Sequence, residues 1–267
     1  MCEMPPAAET FRITVLGSGT SQGVPQLGCD CAVCTSTDPR DSRTRSSIHV
    51  DDGVCSLIVD TSPELRLQCV RERINHADAI IFTHAHADHV MGFDDLRRFC
   101  ELTGEKIPIY GSEITLKKLN EMFPYAFDPL QNIKTYVRAE PHEIEGPFTL
   151  GTLQLTPLPV PHGNMISLGY LFSRGNRDLL AYISDCSDVP EDIRKLIHRV
   201  EVLIIDGLRD SHHPTHLTTQ KAIEIGQAVQ AKQIYLTHLT HHKSHIDREA
   251  GLPNSVFIAY DGLKISL

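Results

Sequence analysis

The sequence feature that most constrains this chain is the run of ligand-type side chains over residues 83–89, Thr-His-Ala-His-Ala-Asp-His. The apolar run before it, residues 79–82, is typical of a buried strand. The residues after it, 90–93, indicate the start of a helix or the turn leading into one. The polar cluster therefore falls where a strand gives way to a helix, which is where α/β proteins place ligand sites.

The spacing inside this motif favours two metal ions. His84 and His86 alternate with Ala85, so an extended backbone directs both rings to the same side. Asp88 and His89 follow one turn later and can face a second point nearby. One metal would use the first pair and a second metal the other pair. The alternative is a solvated loop with several histidines, and four ligand-type side chains separated only by small alanines argue against it.

The composition is that of a globular protein with room for one large α/β domain or two small ones: 267 residues, 41% apolar and 22% charged. A formal net charge of −9 gives no general electrostatic help in binding nucleic acid. No apolar run is long enough to span a membrane. Residues 1–6 show neither the basic start nor the apolar core of a secretory signal. Together with the clustered cysteines described next, this favours a cytoplasmic location.

A second group of candidate ligands consists of closely spaced cysteines, Cys29, Cys31 and Cys34. Three thiolates in a Cys-x-Cys-x-x-Cys group suit a zinc ion better than a disulfide framework, but they need a fourth ligand from elsewhere in the chain. His241, three residues beyond His238, is the preferred fourth ligand, with His242 and His245 as alternatives. A zinc ion there would tie the first loop of the chain to the last. Three reduced structural thiols are the alternative interpretation.

The hydrophobic pattern predicts strands and helices that alternate along the chain. The predicted strands cover residues 11–16, 46–50, 55–60, 79–82, 107–110, 152–159, 168–173, 179–183, 202–206, 233–238, 255–259 and 263–266. The predicted helices cover residues 63–73, 94–102, 112–123, 190–199 and 217–230. Residues 124–150 give no clear pattern, and residues 1–10 are expected to be a flexible tail before a single domain over residues 11–267.

Two features of the sequence each allow two interpretations. The Gly-rich loop over residues 17–25 could cradle a phosphate, although it lacks the Lys of a P-loop, or it could be a tight turn that lets the backbone pass near a site. Asp60 ends a predicted strand and is either a helix N-cap or a hydrogen-bond partner of a metal-bound histidine, rather than a ligand.

The His-x-His-x-Asp-His motif resembles the signature of the metallo-β-lactamase-fold hydrolases. That resemblance implies an α/β fold with a four-layer αββα sandwich, and a histidine, a bridging aspartate and a late histidine that complete a dinuclear site. His162, Asp185 and His238 match these positions. The first metal would take His84, His86, His162 and Asp185. The second metal would take Asp88, His89, His238 and the shared Asp185. Zinc, manganese and iron all suit such ligands.

The Gly-rich loop, the cysteine group, the central motif and the late Thr-His-x-x-His together resemble the PhnP family, the phosphodiesterases of bacterial phosphonate breakdown that open phosphoribosyl 1,2-cyclic phosphate. The resemblance implies two active-site ions, Zn or Mn, one structural Zn, and phosphodiester hydrolysis by a hydroxide held between the two metals. Asp88 and His216 would be the catalytic pair. His216 would open the helix predicted over residues 217–230, and it would donate a proton to the leaving oxygen or steady the phosphate. His212 and His213 compete for that role, and Arg209 is a weaker candidate for a phosphate contact.

The resemblance also sets the expected partners and the alternatives. The expected partner is a small phosphate-ester substrate. Neither a membrane nor a stable nucleic-acid partner is expected. The chain could form a homodimer. A nuclease of the tRNase Z type would share the metal site, but its basic projecting arm has no counterpart in this sequence. A non-catalytic carrier of the PqqB kind shares the cysteine group, and the complete ligand set with His216 argues against it.

Overall fold

The computed structural model describes residues 10–130 and 133–267, so the predicted tail lies, apart from Thr10, outside the described residues. The strands are β1 (Arg12–Gly17), β2 (Ser47–Asp51), β3 (Ser56–Val59), β4 (Ala79–Ile81), β5 (Ile107–Gly111), β6 (Ala139–Glu143), β7 (Phe148–Leu150), β8 (Leu153–His162), β9 (Met165–Arg174), β10 (Arg177–Ile183), β11 (Val202–Asp206), β12 (Gln233–Thr237), β13 (Val256–Ile258) and β14 (Lys264–Ser266). The α-helices are α1 (Leu65–Glu72), α2 (Ala87–Val90), α3 (Arg97–Thr103), α4 (Glu113–Met122), α5 (Glu191–Leu196), α6 (Thr219–Ala228) and α7 (His245–Glu249). Within this part of the chain, every helix is too short or too polar to cross a membrane.

The strands form two seven-stranded sheets. The first has the order β14-β1-β2-β3-β4-β5-β6, and the second has the order β13-β12-β11-β10-β9-β8-β7. Neighbours from β3 to β6 are parallel, as are neighbours from β10 to β13, whereas the other pairs are antiparallel. Parallel strands end at the same edge of a sheet, so the residues that follow β4, β10, β11 and β12 can gather at one edge of the molecule.

Three clusters of apolar side chains fill the spaces between the layers. One lies between the sheets and includes Val59 and Tyr182, both fully buried. A second packs the outer face of the first sheet, with Phe82, against α1 and α3. The third packs the outer face of the second sheet, with Ile205, against α5 and α6, including Ile225. Burying such side chains contributes about 1.5–3 kcal/mol each. The order of layers is helix, sheet, sheet, helix, so the predicted αββα fold is confirmed.

The predicted elements agree with the structure except in a few places. Helix α4 begins after Ser112, whose side chain accepts a hydrogen bond from the Thr115 N–H as an N-cap. Strands β6 and β7 lie in the stretch that had no clear pattern, because both are short and β6 is mostly polar and contains Pro141. The helix predicted from residue 217 begins at Thr219, after the N-cap Thr218, so His216 lies in the preceding loop and does not open the helix.

Candidate metal centre

The predicted ligands lie where strands of both sheets end. His84 follows β4, His162 is the last residue of β8, Asp185 follows β10 and His238 follows β12 directly. The structure brings the donor atoms together in two adjacent groups, within each of which all atoms lie within 4.8 Å of one another. The groups are His84, His86 and His162, and Asp88, His89, Asp185 and His238.

The first group consists of three imidazoles. His84 Nε2 lies 2.9 Å from His86 Nδ1, and His162 Nε2 lies 3.3 Å from the same atom. His84 and His162 are buried, whereas His86 is exposed, so this group faces solvent on one side. That arrangement leaves room for a substrate or water beside the three nitrogens.

The second group mixes imidazoles with carboxylates. His89 Nε2 lies 3.2 Å from both Asp88 Oδ2 and Asp185 Oδ1. His238 Nε2 lies 3.2 Å from Asp185 Oδ2 and 3.6 Å from Asp88 Oδ2. The Oδ2 atom of Asp185 is also 4.0 Å from His162 Nε2 in the first group. Asp185 therefore lies between the two groups, where a bridging carboxylate would have to be.

The hydrogen bonds around the histidines leave the correct nitrogens free for a metal. Asp60 Oδ2 accepts the Nδ1 proton of His89 at 2.7 Å, and the Thr215 carbonyl accepts that of His162 at 2.9 Å. Thr83 Oγ1 lies 3.0 Å from His84 Nδ1 and donates its own proton to Asp60. In its neutral form, each ring presents an Nε2 lone pair toward the cluster, as in metal-ligating histidines held by an outer partner.

Several donor atoms of the second group have no hydrogen-bond partner among the described residues. His89 Nε2, Asp185 Oδ1 and His238 Nε2 are all buried in this state, although they lie close to one another. A buried polar atom left unpaired costs about 1–3 kcal/mol. Because these atoms converge on shared points rather than pairing, a divalent cation bound between them would satisfy all three. Imidazole and carboxylate donors suit Zn, Mn or Fe, so the residues fit the metals that the motif implies.

The electrostatics of the second group also favour a cation. Burial would lower the pKa of His89, but the carboxylates of Asp185, Asp88 and Asp60 together raise it well above its usual value. The same opposition of burial and nearby carboxylates, mainly Asp185, raises the pKa of His238 to about 9. The pocket is thus short of positive charge. A metal ion can supply this charge in place of protons on the two rings.

Asp60 and His238 adopt backbone conformations that non-glycine residues seldom take. Their φ angles are 66° and 60°, in the left-handed region. Such strain typically costs about 1–3 kcal/mol per residue and concentrates at functional sites. Asp60 accepts from the Thr83 N–H at 2.8 Å as well as from His89, and the residue that precedes helix α1 is Glu64. The N-cap interpretation of Asp60 is therefore wrong, and the interpretation as a partner of a histidine fits.

His216 lies beside both groups. Its ring is 4.8 Å from that of His162 and stacks on that of His238 at 4.7 Å. Its Nδ1 donates to Asp206 Oδ2 at 2.7 Å, and that carboxylate also accepts from the Cys186 and Leu208 N–H groups at 3.1 Å. Sequence reasoning missed Asp206. The available signal was a strand that ends in an aspartate at the same edge as the other ligands.

Neither competitor for the role of His216 belongs to the candidate donor groups found among the described residues. His213 is half-buried and its ring lies 5.1 Å from that of His216, outside the two donor groups. His212 is exposed. Arg209 donates to the carbonyls of Ser211 and His212, which holds its side chain along this loop.

The three cysteines lie next to a candidate fourth ligand that comes from near the opposite end of the chain. The Sγ atoms of Cys29, Cys31 and Cys34 lie 3.3, 3.4 and 3.4 Å from His241 Nδ1. His242 instead contacts Thr240 Oγ1 at 2.8 Å, and His245 lies 3.1 Å from the Arg43 guanidinium. Of the three candidates, the structure thus places His241 with the cysteines. The Cys34 N–H lowers the pKa of the Cys31 thiol to about 6, which favours its thiolate, whereas burial raises the pKa of the Cys34 thiol to about 11.

Comparisons with known proteins agree with this architecture. The family described as beta-lactamase superfamily domain matches residues 56–239, which include the central motif and His238. Among solved structures, a diphosphatase from the PhnP family is 37% identical, with a TM-score of 0.89, and the match covers 97% of both chains.

Two curated proteins add to this finding. A protein of Porphyromonas gingivalis named octanoyltransferase is 34% identical over 260 residues, which are 95% of this chain and 51% of that protein. This chain thus spans about half the length of that relative. Coenzyme PQQ synthesis protein B of Methylobacterium radiotolerans is 30% identical over 227 residues, covering 74% of this chain and 73% of that protein. The chain therefore belongs to the beta-lactamase superfamily, with a metallo-β-lactamase fold that is similar over nearly its whole length to a PhnP-family diphosphatase.

Proposed function

We propose that this protein is a dinuclear metal-dependent phosphodiesterase whose substrate is a small phosphodiester, a cyclic phosphate such as phosphoribosyl 1,2-cyclic phosphate being the first candidate. One observation carries the proposal: the donor atoms of both groups converge around Asp185, and three of the buried ones are left unpaired by the protein. The similarity to a PhnP-family diphosphatase supports a phosphorus centre as the point of attack.

The chain's own residues define how two ions would be held. His84, His86 and His162 would hold one ion and Asp88, His89 and His238 the other, with Asp185 shared between them. Two such ions, when bound, would lower the pKa of the water they hold toward neutral and would stabilise the negative charge that builds on the phosphoryl oxygens. Asp60, below His89, keeps that ring in the orientation that binding requires.

We assign the proton donor to His216. The ring is half-buried beside both donor groups, and its Nδ1 is committed to Asp206. Nε2 is therefore the atom through which this ring can exchange a proton with the leaving oxygen. A positioned acid of this kind contributes roughly 10²–10⁴-fold to the rate. Asp206 acts through His216, as a positioning residue that keeps the imidazole aligned.

The experiment that tests this function measures metal content and turnover on the same preparation. The protein is loaded with Zn or with Mn and then assayed with bis(p-nitrophenyl) phosphate, a ribose 1,2-cyclic phosphate and a dinucleoside diphosphate. We expect two metals in the Asp185 centre and hydrolysis of at least one phosphodiester that is lost on chelation. Hydrolysis of a thioester or lactone, with every phosphodiester untouched, would contradict the assignment to phosphorus chemistry.

The alternative that a specific observation favours is a non-catalytic carrier, because the PQQ synthesis relative is 30% identical. The same experiment separates the two functions. A preparation that holds its metals but hydrolyses no ester of any kind favours the carrier. The Asp206–His216 pair, which a carrier does not need, supports the enzyme.

A further inference from the structure

His213 is a half-buried histidine close to the candidate metal centre, on the loop between β11 and α6. It belongs to neither donor group of that centre, and the proposed function gives it no task. Its ring lies 5.1 Å from that of His216. Its hydrogen bonds nevertheless lead to a candidate ligand, His162, through one residue, Thr215.

The His213 ring closes a turn with the residue two positions later. Its Nδ1 accepts the Thr215 N–H at 3.4 Å and lies 3.2 Å from Thr215 Oγ1. Asn and Asp side chains bind the backbone two residues on in the same way, in Asx turns. Pro214, between the two residues, has a fixed φ, which limits the shapes that this turn can take. A neutral His213 ring with its proton on Nε2 therefore sets the position of the Thr215 backbone.

Thr215 in turn holds the ring of His162. Its carbonyl oxygen accepts the Nδ1 proton of His162 at 2.9 Å, so Nε2 of that ring is directed at the first donor group, where it lies 3.3 Å from His86 Nδ1. Partners of this kind set the orientation and the basicity of a metal-binding imidazole. Because the acceptor is a main-chain carbonyl, its place depends on the conformation of the loop and hence on the turn that His213 closes.

The turn that follows His162 packs against the same threonine. Gly163 has a φ of 63°, and a Cβ atom placed on it would lie 2.9 Å from Thr215 Cγ2. Glycine is thus needed there both for the left-handed backbone and for the close approach of the loop. The Ser187 N–H separately donates to the Pro161 carbonyl at 2.8 Å. The end of β8 therefore has two braces, and Thr215 is the one that bonds to the ring of the candidate ligand.

From these contacts we infer that His213 is a positioning residue for the first metal ion, and that it acts through Thr215 on the ring of His162. The inference rests on the proposed function, because it takes the first donor group to bind an ion. Since His216 directly follows Thr215, the same turn also fixes the backbone of the proposed proton donor. A role of His213 as an acid or as a substrate contact would instead use Nε2. The two roles thus depend on different nitrogen atoms of one ring.

Two amide substitutions separate the two nitrogen atoms. Asn places its carbonyl oxygen near the position of His Nδ1, whereas the longer Gln reaches the position of Nε2. His213→Asn should therefore keep the bond to Thr215, and His213→Gln and His213→Leu should lose it. Each variant, with one Zn in its cysteine cluster, is titrated with Mn²⁺, and the free Mn²⁺ is measured by electron paramagnetic resonance.

For wild type we expect two Mn²⁺ sites. In His213→Leu and His213→Gln, one of the two Kd values should rise by about tenfold, the lower end of the effect of losing an outer partner of a ligating histidine. In His213→Asn, both Kd values should stay within about threefold of wild type, because the acceptor is kept. His212→Leu is the matched control, because His212 is the exposed neighbour of His213, and its Kd values should stay within about twofold of wild type.

If His213→Leu does not fold, as judged by its Tm, the Gln and Asn variants decide. Mn²⁺ affinities equal to wild type in the folded Leu and Gln variants, or affinities preserved by Gln and lost in Asn, overturn the inference, while the proposed function stands. Absence of phosphodiester turnover in wild type, with the Mn²⁺ affinities changed as predicted, counts against the proposed function alone. Absence of an ion from the first donor group in wild type overturns both.

Discussion

The two candidate metal clusters of this protein differ in almost every physical property. The Asp185 centre lies at strand ends, uses imidazoles and carboxylates, and leaves buried donor atoms unpaired. The cysteine cluster lies on loops, uses three thiols and His241, and brings every thiol within 3.4 Å of one imidazole nitrogen. Its Cys29, Cys31 and His241 side chains are partly exposed, and Cys34 is buried.

These differences indicate different tasks. A tetrahedral zinc with four protein ligands has no open position and contributes to folding, whereas a catalytic ion keeps a position for water or substrate. The cysteine cluster places four candidate donor atoms within 4.8 Å of one another. The candidate donor atoms of the other centre fall into two adjacent groups, and His86 in the first of them is exposed. We therefore expect substitutions in the Asp185 centre to abolish turnover, and substitutions in the cysteine cluster to reduce stability.

The largest effect is expected for Asp185→Asn. Replacing the shared carboxylate with an amide removes a negative charge from both groups of ligands, so the affinity for both ions falls and the dinuclear arrangement is lost. We expect kcat/KM to fall by roughly 10³-fold or more, since metal ions supply several kcal/mol of stabilisation to the transition state. Metal analysis should show loss from this centre while the cysteine cluster keeps one ion. A variant with full metal content and full activity would contradict the assignment.

A smaller effect is expected for His216→Gln, which removes the proton donor without touching a predicted ligand. We expect kcat to fall by roughly 10²-fold, with the metals retained. The neighbouring exposed histidine offers a matched control, and His212→Gln should keep kcat within about twofold of wild type. Because a good leaving group needs no acid, the loss should shrink with p-nitrophenyl esters. An equal fall in kcat for substrates with good and with poor leaving groups would show that His216 is not the proton donor.

Asp206→Asn should have a smaller effect again. The amide keeps the shape of the side chain, but it can present its NH₂ to His216 Nδ1 and so mis-set the tautomer of the ring. We expect kcat to fall by about tenfold, within the range of 10- to 100-fold seen when an outer partner of a site histidine is lost. Asp206→Glu should recover part of the activity, which a merely structural defect would not allow. Activity and pH profile equal to wild type would show that the pair has no part in turnover.

The smallest effect on turnover is expected for Cys31→Ser in the cysteine cluster. Loss of one thiolate should release one zinc and lower Tm by several degrees, because about 1 kcal/mol corresponds to roughly 2–4 °C in a chain of this size. We expect kcat with bis(p-nitrophenyl) phosphate to fall by less than about threefold, since the ligands of the Asp185 centre are untouched. Cys55→Ala, a buried cysteine outside both clusters, should leave the metal content unchanged. Loss of active-site metal from Cys31→Ser would contradict this prediction, because it would show that the two clusters depend on each other.

The sequence predicted the contrast between these clusters because the signals were local. The histidines of the central motif and the three cysteines each lie within a few residues of one another, so spacing alone indicated ligands. The αββα fold followed from the resemblance that the motif carries, and the apolar parts of strands β10 to β12 were visible as short continuous apolar runs. The distant ligands His162, Asp185 and His238 came from the family pattern. The structure brings them together, and their role as ligands stays a prediction.

What the sequence did not reveal depends on contacts between distant positions. Asp206 is one of many aspartates at strand ends, and only the fold shows that it lies 2.7 Å from His216. Asp60 could have been an N-cap until the structure placed it under His89. Strand β6 joins the edge of its sheet with a polar, proline-containing sequence, because an edge strand is paired and packed on fewer sides than a central one.

Anomalous diffraction from crystals of the protein loaded with Zn or Mn tests the central claim most directly. The account predicts two peaks on either side of Asp185, one next to His84, His86 and His162 and the other next to Asp88, His89 and His238. It also predicts a separate zinc peak among the cysteines and His241. A single peak at the Asp185 centre, or none there in crystals whose cysteine cluster is occupied, would contradict it.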